Sequence, residues 1–284
     1  MKTRITFKGK EHSLVGRHIE AGRFAPGFTA LNREGAPVSF ADFNGKVKLI
    51  TSYLSLDTPV CKKQALQFNR EAADLSDDVA VCGISRDLPF AINRFADEHD
   101  IGDVLLLSDH RESEFGLNYG ALIKDLRLLT RAVFIVDKKN TVRYVQWVDE
   151  ISDAPDYADA QQALENVLRE PERESGEDWM ANCVPCESAE AGIDKTEADT
   201  LIREVNGWDM KEYKTLSKEF SFDGFDNAKL FYDVLAMIAR QLNHHPDLCH
   251  SYSTVRVSLS THKVEALTPN DFLFARLIDE LKVS

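Results

Sequence analysis

Val47-Lys48-Leu49-Ile50-Thr51-Ser52-Tyr53-Leu54 runs directly into Ser55-Leu56-Asp57-Thr58-Pro59-Val60-Cys61. The first half, an apolar β-rich run, reads as a strand. From Cys61 to Leu75, Leu66 and Phe68 fall among charged residues, which reads as a helix. Strand, short loop and helix in that order are the repeating unit of an α/β sheet. Cys61 stands where the loop becomes helix, and the backbone N–H groups and dipole of a helix start favour a thiolate. Thr58, three residues earlier, can offer a hydroxyl to a bound oxygen.

The neighbouring segments extend this unit in both directions. Val79 to Ser85 reads as a buried strand, Pro89 to His99 as a helix and Val104 to Leu107 as a third strand. Ala132 to Val136 and Thr141 to Val148 flank Asp137-Lys138-Lys139-Asn140, which is hairpin chemistry. Tyr157 to Arg169 closes the unit as a helix. Upstream, residues 3–15 alternate around Lys8-Gly9-Lys10 and predict an N-terminal hairpin. Arg131, just before the Ala132 strand, would bring a fixed positive charge to Cys61 and polarise an electrophile there. Cys82, mid-strand in an apolar run, reads as inert.

Residues 169–206 hold 11 acidic and 4 basic residues. Within them Glu170 to Asp178 is almost devoid of apolar side chains, so 169–180 is expected to be an acidic linker. Beyond it the patterning changes. Tyr213 to Phe222 and Ser253 to Ser260 read as strands, and Asn270 to Leu281 as a helix. Phe225 to Leu242 is a long helix with Ala228, Phe231, Leu235, Ile238 and Leu242 at three- and four-residue spacing. Leu230, Val234 and Met237 widen its apolar face, which suggests helix-to-helix contact in a homo-oligomer. The expected architecture is two domains: an α/β domain over 1–168, then over 181–284 an α+β domain with an antiparallel sheet and helices on one face.

This second segment carries its own chemistry. His244-His245-Pro246, Tyr252, His262 and Asp271 fall within 28 residues of a chain that has only eight histidines. Imidazoles titrate near neutrality, so such a group points to proton transfer. A metal site is the competing reading of three histidines. The pair Cys183-Val184-Pro185-Cys186 is half a zinc site, which Cys249-His250 would have to complete.

Bulk properties narrow the partners. A net charge of −13 argues against nucleic acid and against an anionic membrane surface. No apolar run approaches the ~18 residues of a membrane span, and the start lacks an apolar signal core. Cytoplasm is the expected location. Five sparse cysteines predict no disulfide framework.

The stretch Leu56-Asp57-Thr58-Pro59-Val60-Cys61 resembles the active-site loop of the thiol peroxidases, a branch of the peroxiredoxins. The likeness continues through Ile84-Ser85, Asp87-Leu88-Pro89-Phe90-Ala91, Leu107-Ser108-Asp109-His110-Arg111, Phe115-Gly116 and Leu128-Leu129-Thr130-Arg131-Ala132-Val133-Phe134. The resemblance implies a thioredoxin-like fold and a peroxidatic Cys61, supported by Thr58 and Arg131. Hydrogen peroxide or organic hydroperoxides would be the substrates. Two positions depart from the family: Leu54 replaces the usual proline, and Ala96 replaces the resolving cysteine. Three outcomes follow. An external thiol such as thioredoxin recycles Cys61, Cys183 or Cys186 resolves it, or the domain has become a scaffold for oligomerisation or interaction.

The His-His-Pro cluster, with its spacings to Tyr252, His262 and Asp271, resembles the signature of pterin-4a-carbinolamine dehydratases. Gly207-Trp208, Phe220-Ser221-Phe222, Val255 to Thr261 and Ala266-Leu267-Thr268 agree in context, while Arg240 departs from the family pattern. The implied reaction is loss of water from a 4a-hydroxytetrahydropterin such as the tetrahydrobiopterin derivative, giving the quinonoid dihydropterin. His244 and His262 are the acid/base candidates. His245 would orient or bind the pterin, and Asp271 would bind substrate or orient a histidine. No resident cofactor is expected, because the pterin is substrate. The same family also supplies dimerisation partners, so a binding role for this domain is a further reading.

Overall fold

The computed structural model describes residues 3–17, 19–169 and 191–281. The chain divides into two compact units, Met1–Glu177 and Asp178–Ser284. The expected linker, apart from Arg169, lies outside the described residues, as do Cys183 and Cys186.

The first unit contains β1 (Arg4–Phe7), β2 (Lys10–Val15), β3 (Thr29–Leu31), β4 (Pro37–Ser39), β5 (Val47–Ser52), α1 (Pro59–Ala72), β6 (Val79–Ser85), α2 (Pro89–His99), β7 (Leu105–Ser108), α3 (Glu114–Asn118), β8 (Leu122–Ile123), β9 (Ala132–Val136), β10 (Val142–Trp147) and α4 (Tyr157–Arg169). The expected N-terminal hairpin is β1–β2, turned by Lys8 and Gly9 at φ 52 and 76. Two positive φ values in a two-residue loop match the twist of the strands it joins.

A seven-stranded sheet in the order β10-β9-β5-β6-β7-β3-β4 forms the frame, with β5, β6 and β7 parallel. Every residue of β5 is buried. A strand between β6 and β9 is covered on both faces, which is why its sequence reads as a run rather than an alternation; the Lys48, Thr51 and Ser52 side chains it buries each find a hydrogen-bond partner. Leu49 and Ile50, 3% and 1% exposed, each contribute about 1.5–3 kcal/mol by burial. The register pairs Ser52 with Ile84 on one side and with Ala132 on the other. The ends of β5 and β6 are therefore level, and Arg131 emerges beside them.

The second unit contains α5 (Lys195–Leu201), β11 (Asp209–Lys211), β12 (Thr215–Ser221), α6 (Phe225–Leu242), β13 (Asp247–Ser251), β14 (Thr254–Leu259) and α7 (Pro269–Glu280). Its sheet runs β11-β12-β14-β13, antiparallel throughout. Phe220 and Phe222 lie 4.8 Å from the Phe231 ring, joining the sheet to α6.

Two expectations need correction here, and two strands of this unit were missed. The strand predicted from Tyr213 begins at Thr215, because Glu212 and Tyr213 turn the chain at φ 52 and 58. β11 and β13 escape the sequence reading because their short polar segments lack an apolar face. Leu230 and Val234 are 3% and 1% exposed, so these two positions of α6 are already covered by this chain and do not themselves argue for helix-to-helix contact in an oligomer. Among the described residues, no helix is long and apolar enough to cross a membrane.

Two buried titratable groups in the first unit give testable consequences. Cys82 in β6 is 1% exposed, and burial pushes its thiol up to about 12. Peptide mapping after iodoacetamide treatment of the native protein near neutral pH should therefore leave Cys82 unmodified. Asp109 follows β7, is 2% exposed, and accepts the Phe115 and Gly116 N–H groups at 3.0 Å. Burial pushes its carboxyl up to about 7, against the opposing pull of those N–H groups and the Arg86 guanidinium. A carboxyl raised on folding adds most to stability below its ordinary value of 3.8, and that contribution is lost as pH rises through about 7. Urea melts across this range should show Asp109→Asn gaining on the parent as pH rises, by at most about 1.4 kcal/mol per pH unit.

Candidate functional sites

Cys61 is the third residue of α1, with Thr58 as N-cap and Pro59 opening the first turn. Proline suits that position because its missing N–H would have no helical partner. The Cys61 side chain is wholly buried. Arg131, 1% exposed, donates from Nη2 to Cys61 Sγ at 3.4 Å and to the Ile151 carbonyl at 3.0 Å. Its Nη1 donates to Gln64 Oε1. The Gln64 amide in turn donates to Thr51 Oγ1 at 2.6 Å, which returns the network to β5. Ser52 Oγ donates to the Thr130 carbonyl at 2.7 Å and accepts the Ala132 N–H at 3.1 Å, pinning the backbone on both sides of Arg131.

Thr58 does not cap α1 with its side chain. Its hydroxyl donates to the Ser55 carbonyl at 2.9 Å, which leaves the Thr58 oxygen with lone pairs to accept a hydrogen bond. Tyr53 is fully buried beside Cys61, and its hydroxyl has no partner among the described residues. Burial, and then the charge of Cys61, push its phenol well above the usual range, so it stays neutral. Gly83 makes room for it: a Cβ there would lie 2.6 Å from the Tyr53 ring.

Thr58, Cys61 and Arg131 thus share one end of the sheet, with Cys61 and Arg131 in direct contact. Sequence reasoning missed Gln64 and the Ile151 carbonyl. Gln64 was readable in principle, because it lies three residues after Cys61 on the same helix face. The Ile151 contact is made by backbone and has no side-chain signal. Leu54 and Ala96, the two departures, are 5% and 3% exposed and belong to the same apolar cluster as Cys61.

In the second unit the hub is Asp271. It is fully buried, and its Oδ1 lies 2.8 Å from His244 Nε2. Its Oδ2 accepts from the Thr268 N–H at 2.8 Å, Thr261 Oγ1 at 3.0 Å and Thr268 Oγ1 at 3.2 Å. Thr268 and Asp271 form a capping box at the start of α7. His244 is fixed from the other side. Asn243, at φ 47, ends α6 in a left-handed turn, and the His244 N–H returns to the Ala239 carbonyl at 3.0 Å.

These contacts bear on two of the expected roles, and for Asp271 they fit the orienting one. Asp271 has no exposed surface with which to bind substrate, so its geometry is that of an orienting carboxylate. His244 is 1% exposed and held by Asp271, rather than open to a pocket. His245 and His262 are exposed. Each lies one residue from a side chain that touches Asp271, namely His244 and Thr261. Tyr252 does not join them. It is 72% exposed and lies 6.3 Å from Phe225, the first residue of α6, whereas His244 follows the last. Eighteen helical residues separate those ends by about 27 Å. His250 also lies against Phe225, at 5.0 Å. Of the four groups in the zinc alternative, Cys183 and Cys186 lie outside the described residues.

Comparison with known proteins matches residues 20–164 to the Redoxin family and residues 191–281 to the pterin 4 alpha carbinolamine dehydratase family. A thiol peroxidase of Staphylococcus aureus is 45% identical over 165 residues, covering 58% of this chain and 99% of that protein. One from Oceanobacillus iheyensis is 44% identical over 153 residues, covering 54% and 93%. The crystal structure of a peroxiredoxin-like protein from Aquifex aeolicus superposes with a TM-score of 0.55 at 35% identity, covering 58% of this chain and 98% of that one. The chain belongs to the redoxin family, with a thiol peroxidase-type peroxiredoxin domain followed by a pterin 4 alpha carbinolamine dehydratase domain.

Proposed function

We propose that this chain is a bifunctional enzyme: a thiol-dependent peroxidase working through Cys61 and a 4a-hydroxytetrahydropterin dehydratase working through the histidine cluster. The observation that carries the first activity is the buried Arg131 guanidinium 3.4 Å from Cys61 Sγ. A fixed cation against sulfur favours the thiolate, which is the nucleophile. The thiolate attacks one oxygen of hydrogen peroxide or an organic hydroperoxide. An S–O bond forms as the O–O bond breaks, sulfur is oxidised to the sulfenic acid, and the departing oxygen leaves as water or alcohol once protonated. Thr58, its own proton given to Ser55, accepts from the hydroperoxide O–H. Arg131 and the first-turn N–H groups stabilise the charge on the departing oxygen. Because Cys61 is wholly buried, peroxide reaches it only when neighbouring side chains move aside.

Recycling follows from Ala96. Helix α2 carries no cysteine, so an external thiol, thioredoxin among the candidates, attacks the sulfenic sulfur, releases water and forms a mixed disulfide. A second thiol then frees Cys61. A reducing cytoplasmic setting belongs to the same reading. The scaffold alternative leaves the Arg131–Cys61–Gln64 contacts without a purpose, since a buried cation is costly to keep.

For the dehydratase, water departs from C4a when a proton is delivered to the hydroxyl and another leaves a ring nitrogen. His262 is the exposed imidazole suited to this exchange. His245 meets the pterin, and the His244–Asp271 pair holds the adjoining backbone and gives the cluster a fixed imidazole. The pterin enters as substrate, and neither half-reaction calls for a resident cofactor.

Peroxide consumption should vanish in Cys61→Ser and persist in His262→Ala. Arg131→Lys, which cannot reproduce the forked contacts, should slow Cys61 oxidation about 10²–10³-fold. Carbinolamine dehydration on the same preparations should show the reverse pattern, falling about 10²–10⁴-fold in His262→Ala and remaining unchanged in Cys61→Ser. Loss of both activities in either single variant would contradict two independent sites. Normal dehydration in His262→Ala would instead favour a binding role for the second unit.

A further inference from the structure

Asp87 has no part in the reaction above, yet its carboxylate holds the loop that carries Thr58 and Cys61. Its Oδ1 accepts from Ser55 Oγ at 2.8 Å, and its Oδ2 accepts from the Leu56 N–H at 2.8 Å and from Ser85 Oγ at 3.0 Å. Ser55 is the hub on the other side. Its Oγ also accepts the Asp57 N–H at 3.3 Å, and its carbonyl accepts both the Thr58 N–H at 3.0 Å and the Thr58 hydroxyl at 2.9 Å. The direction of the Thr58 hydroxyl is thus set by the Ser55 carbonyl, and Ser55 is set by Asp87.

Asp87 is itself anchored. Its N–H donates to Ser85 Oγ at 3.2 Å, and its carbonyl accepts the buried Ser108 hydroxyl at 2.5 Å. With its proton so committed, the Ser108 oxygen accepts from His110 Nδ1 at 2.7 Å. The parallel register of β5 and β6 makes the arrangement reachable, since it brings residues 53–58 and 86–88 out of the sheet side by side. A loop would otherwise be the most mobile part of such a site. Here a carboxylate accepting from two of its groups ties it to the adjacent strand end.

We propose that Asp87 is a positioning residue of the peroxidase site, acting through Ser55 to aim the Thr58 hydroxyl at the incoming hydroperoxide. This rests on the peroxidase reading of Cys61. It separates two functions on one loop. Arg131 and the helix start govern the thiolate, and Asp87 governs how the peroxide is held. Removing Asp87 should therefore impair the reaction with peroxide while sparing the reaction of Cys61 with an alkylating agent, which does not use Thr58.

The test measures, on the full chain, the second-order rate of Cys61 oxidation by hydrogen peroxide and the pH profile of Cys61 alkylation by iodoacetamide. Asp87→Asn keeps the shape but loses acceptor capacity. It should slow oxidation about 10–100-fold, the scale of a small misplacement at a reacting centre, and leave the alkylation profile where it was. In a Thr58→Val background the same substitution should cost less than about twofold, because residues acting through one another are not additive. Ser55→Ala removes a single arm, should give an intermediate loss, and replaces Asp87→Asn if that variant does not fold. Full additivity with Thr58→Val, a parallel shift in alkylation, or undiminished oxidation in both variants would overturn the proposal. Failure of the unsubstituted protein to be oxidised at Cys61 would instead overturn the peroxidase reading itself.

Discussion

The buried guanidinium of Arg131 is the constraint around which the first unit is arranged. Stripping water from a charge costs several kcal/mol, so a cation with 1% exposure needs acceptors; both Nη groups of Arg131 find them, while its Nε has none among the described residues. The chain supplies the Cys61 sulfur, the Gln64 amide oxygen and the Ile151 carbonyl. These come from helix α1 and from the loop that follows β10. The sulfur is thus one of the groups that make the buried charge affordable. Taking it away would leave the cation undercompensated as well as remove the nucleophile.

The second unit solves a related problem with the opposite charge. Asp271 is a fully buried carboxylate, and it is satisfied by two threonine hydroxyls, one backbone N–H and an imidazole. One residue therefore starts α7, fixes the turn that carries His262 through Thr261, and holds the turn after α6 through His244. Proton-transfer groups need reproducible placement. A carboxylate that also caps a helix provides it, since disturbing the site means disturbing the helix start.

Much of this was legible beforehand, and the misses have physical causes. The helices Pro89–His99, Tyr157–Arg169 and Phe225–Leu242 and the strand Val79–Ser85 were read from pattern at the bounds they adopt, because each carries its own periodicity. β3, β4, β11 and β13 are short, and pairing rather than composition makes them strands. The capping box Thr268-Pro269-Asn270-Asp271 was in plain view, and reading it would have marked Asp271 as a structural carboxylate. Tyr252 misled for the converse reason. Closeness along the chain suggested a shared site, but β13 and its turn carry this residue back to the far end of α6.

By itself, the sequence determined which residues have the required chemistry and where the local elements run. A thiol at a helix start, an arginine before a strand, and imidazoles flanking helix ends are statements about near neighbours, and local forces decide them. Tertiary structure decided which of these groups meet and which are reachable. It set Arg131 against Cys61 through the antiparallel pairing of β9 with β5, buried His244 and Asp271 together, and left His245 and His262 outside. Such outcomes depend on strand register and on how desolvated charges find partners across long sequence separations, and no single segment encodes them.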